Sequence, residues 1–89
     1  MTDIEGILQE REKVHGDFWK TADIAQELKA VIVRHTEDQR DTIYDEGIDM
    51  ICSKLARIVS GDPDHVDHWV DISGYAQLCA GFAKAKADA

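Results

Sequence analysis

Apolar residues recur along this chain at the three-to-four spacing of amphipathic helices, in four stretches separated by short polar or glycine-containing breaks. The first predicted helix ends near Val14, because the glycine of His15–Gly16 is a preferred residue just after a helix. Asp17 is placed to cap the second helix. The third helix is expected over residues 42–60, and the fourth over residues 64–85.

Turn-forming residues mark the ends of these helices. Thr2 and Glu5 match a capping box at the start of the first helix. The wholly polar tract 34–41, RHTEDQRD, is expected to form a loop. Gly61 ends the third helix, and Asp62–Pro63 then combines a capping residue with a proline in the first turn of the fourth helix.

These elements predict a single all-α domain over residues 1–89, folded as a small up-down bundle of about four helices. A chain of 89 residues buries only about 60–65% of its unfolded surface, which makes a monomer marginal. We therefore expect a homo-oligomer, with a dimer as the first choice. The aromatic set supports this expectation and consists mainly of Phe18, Trp19, Trp69 and Phe82.

The charge balance narrows the classes of partner. The chain has 18 acidic and 10 basic residues, for a formal net charge of −8. This argues against direct nucleic-acid binding, which needs clustered lysine and arginine. Cys52 and Cys79 lie far apart within apolar patterns and predict free thiols in a reducing compartment. With no signal peptide and no long apolar run, the expected location is the cytoplasm, with no membrane partner.

The predicted third helix carries charges without the usual helical partners. A helix turns by about 100° per residue, so Glu46, Asp49 and Arg57 fall along one line on its surface. Lys54 lies to one side of this line. None of the four has an opposite charge three or four positions away. One interpretation is a solvated face with a charge order that suits the helix dipole. The other is that these charges pair with another helix, another subunit or a ligand.

The stretch Asp64–Asp71, DHVDHWVD, places three carboxylates on one face of the predicted fourth helix. Like charges at this spacing repel, and a bound cation would relieve the repulsion. The alternative explanation is that the first turn of a helix favours acidic residues in any case. Trp69, with Ile72 behind it, is expected to be buried. The acids are expected to line one polar groove between the third and fourth helices, formed by Glu46, Asp49, Asp67 and Asp71.

Two histidines within this stretch offer a different chemistry. His65 and His68 lie three residues apart, and Asp71 follows His68 at the same spacing. The trio suits zinc or nickel, but one short helix would need a fourth ligand from elsewhere in the chain. The pattern favours the alternative, in which both histidines are partly buried and hydrogen-bonded.

Two segments carry a resemblance that covers most of the chain. They are REKVHGDF over residues 11–18 and IDMICSKLARIVSGDPDHVDHWVDISGYAQL over residues 48–78. Together they resemble a group of small phage and prophage proteins of unknown function. The resemblance implies a phage or prophage origin and action in the cytoplasm of a bacterial host cell.

A second resemblance concerns acids on two neighbouring helices, and it is to the MazG-like nucleoside triphosphate pyrophosphohydrolases. That family pairs an ExxE motif with an ExxD motif to hold Mg²⁺ and a nucleotide triphosphate. Glu46 with Asp49 would stand for the first motif, and Asp67 or His68 with Asp71 for the second. The spacing of Asp67 and Asp71 is four rather than three, the first motif ends in Asp, and histidine is a poor magnesium ligand.

The resemblance also implies roles for the two bases, since Lys54 and Arg57 would contact phosphate or neutralise the acids at rest. The first hypothesis is therefore a magnesium-dependent pyrophosphohydrolase, or a nucleotide-binding relative, whose four carboxylates serve as catalytic and metal-binding residues. The alternative is a non-enzymatic phage accessory protein that binds a host protein through its acidic helical surface. The first hypothesis needs the four carboxylates to converge, whereas the second needs only an exposed acidic patch.

Overall fold

The computed structural model of the chain describes residues 3–89, which fold into four α-helices with no β-strand among them. In chain order the helices are α1 (Ile4–His15), α2 (Phe18–His35), α3 (Thr42–Ser60) and α4 (Val66–Asp88). The all-α prediction is confirmed, and the bounds of α3 are those predicted. The helix bounds differ from the prediction mainly in α2 and α4.

The central element of the fold is α3, against which α2 and α4 both pack. Both neighbours run antiparallel to α3, as predicted from the short loops. In contrast, α1 does not form a fourth bundle helix and meets α3 only near its C-terminal end. The fold is therefore three packed helices, the first of which is a long helical arm that bends between α1 and α2.

The bend is encoded by two residues, as the sequence predicts. Gly16 has a φ of 85°, a left-handed conformation that glycine adopts without a Cβ clash. Its amide donates to the Glu12 carbonyl at 2.8 Å and so closes the end of α1. Asp17 then caps α2, because its carboxylate accepts a hydrogen bond from the Trp19 amide at 2.9 Å.

The other helix ends show which local signals were incomplete. The predicted capping box includes Thr2, which lies outside the described residues, and the Asp3 carboxylate accepts from the Gly6 amide at 2.8 Å. The helix α2 continues to His35, so the loop is shorter than predicted. The helix α4 begins later than predicted, because the Asp62 carboxylate accepts from the Asp64 amide and holds a turn ahead of the helix.

The core of the molecule is thin and contains mostly small side chains. Its buried apolar residues are Ala25, Cys52, Ala56 and Ile58. No residue of α1 is buried, and its Ile4, Ile7 and Leu8 side chains remain more than half exposed. No helix in the described part of the chain is both long and apolar enough to cross a membrane.

The buried face of α4 differs from the prediction. Trp69 was expected inside, but its side chain is 51% exposed and its Nε1 donates to the Pro63 carbonyl at 2.8 Å. His68 is buried instead, at 3% exposure, and Ile72 and Tyr75 share its face. The helix is thus rotated by roughly 80° from the predicted orientation, given about 100° per residue.

Candidate functional site

Three histidines from distant parts of the chain meet at the end of the fold where α1 joins α2. His15 is the last residue of α1, His65 precedes α4, and His68 lies in the first turn of α4. One ligand atom from each ring can be chosen so that all three lie within 4.8 Å of one another. The centroids of the His65 and His68 rings are 4.7 Å apart, and those of His15 and His68 are 5.0 Å apart. We call this group the histidine cluster.

Backbone contacts between α1 and the turn after α3 hold the cluster together. The Asp62 amide donates to the Val14 carbonyl at 3.0 Å. Gly61 lies so close to this segment that a Cβ at its position would meet the Val14 carbonyl oxygen and the Gly16 nitrogen. The absence of a side chain at Gly61 therefore lets the end of α1 approach the turn that leads to His65.

A hydroxyl pair fixes the same region from the α2 side. The Thr21 and Ser60 hydroxyl oxygens are 2.6 Å apart, and the Ser60 hydroxyl also donates to the Ala56 carbonyl at 2.8 Å. Thr21 is buried although it is polar, which is favourable because its hydroxyl has this partner. The ends of α1, α2 and α3 are thereby joined next to the histidine cluster.

His68 is the most deeply buried member of the cluster. Its Nε2 lies 3.0 Å from Nδ1 of His15, a hydrogen-bond distance whose donor depends on the tautomers. Its other nitrogen, Nδ1, is buried with no hydrogen-bond partner within residues 3–89. The hydrogen-bonded histidine favoured by the sequence therefore accounts for only one of the two ring nitrogens. Leaving such a buried polar atom unpaired costs about 1–3 kcal/mol.

The surroundings favour neutral imidazoles in the cluster. Burial, and then the positive charge of Arg57, lower the pKa of His15. Burial, and then the neighbouring His15 and Lys54, lower the pKa of His68. Because metals bind imidazole only in its unprotonated form, both effects prepare these rings to act as ligands near neutral pH.

One distance in the cluster is close to that expected around a metal ion of the zinc class. Two nitrogens bound tetrahedrally to zinc at about 2.0–2.1 Å would lie about 3.3 Å apart. The His15 and His68 nitrogens are already 3.0 Å apart, so binding would need only a small separation of the two rings. Asp67 Oδ2 lies 3.8 Å from Nε2 of His65, which is too long for a hydrogen bond that would orient this ring.

A hollow of about 380 Å³ opens beside the cluster, and His15 forms part of its wall. Two guanidinium groups line it, those of Arg11 and Arg57, and neither has an acidic ion-pair partner in the described part of the chain. The remaining lining includes two acids and three apolar side chains, namely Glu12, Asp17, Leu8, Phe18 and Trp19.

Of the residues predicted to form a site, the structure brings Lys54 and Asp71 together. The Lys54 Nζ lies 2.9 Å from Oδ2 of Asp71, across the interface between α3 and α4. The hydrogen bond from Lys54 lowers the pKa of Asp71, and the positive charge adds to this effect. Of the two bases expected to neutralise the acids at rest, Lys54 pairs with Asp71, whereas Arg57 lines the hollow instead.

The other predicted acids are distributed over different surfaces. Glu46 lies beside a groove that Tyr75 and Cys79 also line, whereas Asp49 lies beside a groove that Lys29 lines. Within residues 3–89, the four predicted carboxylates supply no trio whose ligand atoms lie within 4.8 Å of one another. The shared magnesium groove between α3 and α4 therefore stays a prediction, without a carboxylate cluster to support it.

His15 is the site residue that sequence reasoning missed. Its role in the pattern was that of a helix end, and His65 and His68 were interpreted with Asp71 as the third ligand. The signal that could have identified His15 was the requirement for a further metal ligand from elsewhere in the chain. Because His15 lies 53 residues before His68, helical spacing within one element could not identify it.

Comparisons with known proteins give a family but no activity. A family model described as "Domain of unknown function (DUF6378)" matches residues 2–83. Neither the comparison with curated proteins nor the comparison with solved structures found a match.

Proposed function

We propose, from the premise that the chain belongs to the DUF6378 family, that it binds a divalent transition-metal ion through His15, His65 and His68. The observation that carries the proposal is the meeting of three imidazoles with one ligand atom each inside 4.8 Å. The 3.0 Å separation of His15 Nδ1 and His68 Nε2 is a second supporting observation, because two nitrogens bound to one zinc ion lie at a similar distance.

The ligand chemistry favours zinc, with cobalt or nickel as laboratory substitutes, over magnesium. Imidazole nitrogens suit zinc, copper, iron and nickel, whereas magnesium prefers carboxylate, carbonyl and water oxygens. The expected magnesium centre would require the carboxylates of α3 and α4 instead. Zinc binding therefore tests the histidine cluster, and magnesium binding tests the carboxylates of α3 and α4.

Three protein ligands are the number that catalytic zinc sites use, with a fourth position open to water or substrate. An ion in such a site lowers the pKa of its bound water and polarises a substrate oxygen. We therefore propose metal-dependent hydrolysis as the activity to test first. A nucleoside triphosphate, the substrate expected from the sequence, is one compound to include in that test. The alternative function is the binding of a host protein to the acidic surface.

Metal titration of single-histidine variants tests the proposal. We expect the wild-type protein to bind one Zn²⁺ or Co²⁺ per chain, and His15→Ala and His65→Ala to weaken the affinity at least tenfold. His35→Ala is the matched control, since His35 is exposed at the end of α2 and lies outside the cluster. Equal losses in all three variants, or no saturable binding by the wild type, would refute the site.

A parallel titration with Mg²⁺ separates this proposal from the carboxylate site. Asp71→Asn removes a carboxylate of the predicted magnesium site but no member of the histidine cluster. We expect this variant to bind zinc as the wild type does. If Mg²⁺ stabilises the wild type against thermal unfolding and fails to stabilise Asp71→Asn, the carboxylate site is correct instead.

A further inference from the structure

The hollow beside the histidine cluster has an unusual charge arrangement. Arg11 and Arg57 both line it, and both act on His15, because each contributes positive charge that lowers the pKa of this imidazole. Neither guanidinium has an ion-pair partner within the described residues. The lining thus holds two arginines and two acids, Glu12 and Asp17, and is close to neutral in a chain of net charge −8.

A metal ion in the cluster would leave a net positive charge beside the hollow. The charges of the two arginines are balanced by the two acids of the lining, Glu12 and Asp17, and imidazoles that bind a metal contribute no charge. A divalent ion then leaves an excess of two positive charges next to the guanidinium groups. A ligand of charge −2 would neutralise this excess.

We infer that the hollow binds a phosphate dianion, free or as a monoester, between the two guanidinium groups and the open coordination position of the metal. This inference rests on the proposed metal site. Guanidinium groups match the oxygens of a phosphate with paired hydrogen bonds, and a metal ion accepts a further phosphate oxygen. A phosphate monoester carries about −1.5 to −2 charge at neutral pH, which is the required neutralisation.

The apolar part of the lining distinguishes a monoester from free phosphate. Leu8, Phe18 and Trp19 line the same hollow, and the Trp19 side chain is 80% exposed. A planar organic group attached to the phosphate would cover some of this apolar surface. Phenyl phosphate is therefore expected to bind more tightly than inorganic phosphate, whereas equal affinities would identify free phosphate as the ligand.

The metal and the phosphate should bind cooperatively. The guanidinium groups repel a cation and attract an anion, so each ligand relieves a repulsion that opposes the other. By thermodynamic linkage, phosphate must raise the metal affinity by the same factor as the metal raises the phosphate affinity. Without the arginines, the largest part of this coupling should disappear.

The test measures Co²⁺ binding, by its visible absorption, with and without inorganic phosphate or phenyl phosphate. We expect saturating phosphate to tighten Co²⁺ binding at least about fivefold in the wild type, which is the lower range of allosteric coupling. In Arg11→Gln and Arg57→Gln, Co²⁺ should still bind, but phosphate should no longer tighten it. Arg34→Gln, at the far end of α2, is the matched control and should behave as the wild type.

The outcomes separate the two proposals. Co²⁺ binding that is unchanged by either phosphate compound overturns the anion site and leaves the metal site intact. Absence of Co²⁺ binding in the wild type refutes the metal site itself, and the anion inference with it. Loss of coupling in Arg34→Gln would also contradict the inference, because that arginine lies outside the hollow. Circular dichroism of each variant establishes that the helices are retained.

Discussion

The imidazole of His68 is a buried polar group whose hydrogen bonding is incomplete within residues 3–89. It is buried, it bonds to His15 through one nitrogen, and its other nitrogen has no partner within residues 3–89. A core selected only for stability would not keep such a group, because an unpaired buried polar atom is destabilising. His68 therefore lowers the stability of the metal-free fold.

The same burial predicts how stability depends on pH in the metal-free protein. The folded-state pKa values of His15 and His68 are both lowered from 6.5. Above pH 6.5 both rings are neutral in the folded and unfolded chains. As the pH falls below 6.5, the unfolded chain takes up protons first, so the free energy of unfolding falls until the folded-state pKa values have also been passed. The slope is at most about 1.4 kcal/mol per pH unit for each histidine.

Urea unfolding between pH 7.5 and pH 5, with a chelator present, measures this slope. His68→Gln removes one of the two groups and should reduce the slope, whereas His35→Gln should leave it unchanged. A slope in His68→Gln equal to that of the wild type would show that His68 is not the group responsible.

Residue patterns predicted the cap of α2 and the glycines that end α1 and α3, but not the start of α4 or the polar contacts, for a physical reason. Gly16 and Asp17 act on their own backbone neighbours, so their effect is visible in the local sequence. The partners of Lys54 and His68 lie on other helices, and no spacing within one helix reveals them. The missing helical ion pairs did indicate that Lys54 had a partner elsewhere.

At the level of helices, the rotation of α4 shows how cross-helix pairs override apolar patterning. The predicted face grouped Trp69 with the apolar residues and turned Asp71 towards a polar groove with the acids of α3. In the fold, α3 offers Lys54 to Asp71 and α1 offers His15 to His68. Trp69 then lies over the turn before α4, where its indole nitrogen is hydrogen-bonded.

The joint between α1 and the turn after α3 yields a prediction about the site. In Gly61→Ala, the new Cβ would meet backbone atoms at Val14 and Gly16, which cannot move independently of α1. We expect this change to displace His15 from the cluster and to weaken metal binding severalfold without altering a ligand. It should also destabilise the fold by about 1–3 kcal/mol, as overpacking of a close contact does.

Gly74→Ala is the control for that experiment. Gly74 lies within α4, and a Cβ there would meet nothing within 4 Å. Alanine should stabilise the helix by up to about 1 kcal/mol and leave the metal affinity unchanged. Thermal unfolding and zinc titration of both variants make the comparison. Unaltered zinc affinity in Gly61→Ala would mean that α1 is not positioned through this contact.

The whole molecule is elongated, with principal extents of 56 × 26 × 25 Å. The thin core and the exposed apolar side of α1 fit the expectation of a homo-oligomer, which remains a prediction. Ile4 and Ile7 are both more than half exposed, and neither lines the hollow beside the histidine cluster. We therefore expect a dimer in which the α1 helices of two chains bury these residues against each other.

Sedimentation of the wild type and of two charge variants tests this expectation. The wild type should sediment at twice the chain mass of 10.0 kDa at micromolar concentration. Ile7→Asp should give a monomer, because it places a charge within the expected interface. Val33→Asp changes another exposed apolar residue, near the C-terminal end of α2, and should remain dimeric. A monomeric wild type would remove the expectation.

One consequence follows from the unequal origin of the three histidines. Two belong to the start of α4, which packs on α3, whereas the third is held by α1, a helix with no buried residue. The effective concentration of the His15 imidazole at the other two rings is thus set by how often α1 is docked. The apparent dissociation constant for metal equals the intrinsic constant divided by the docked fraction. Metal affinity would therefore report the position of α1, and any molecule that draws this helix away from α3 would release the ion without competing for it.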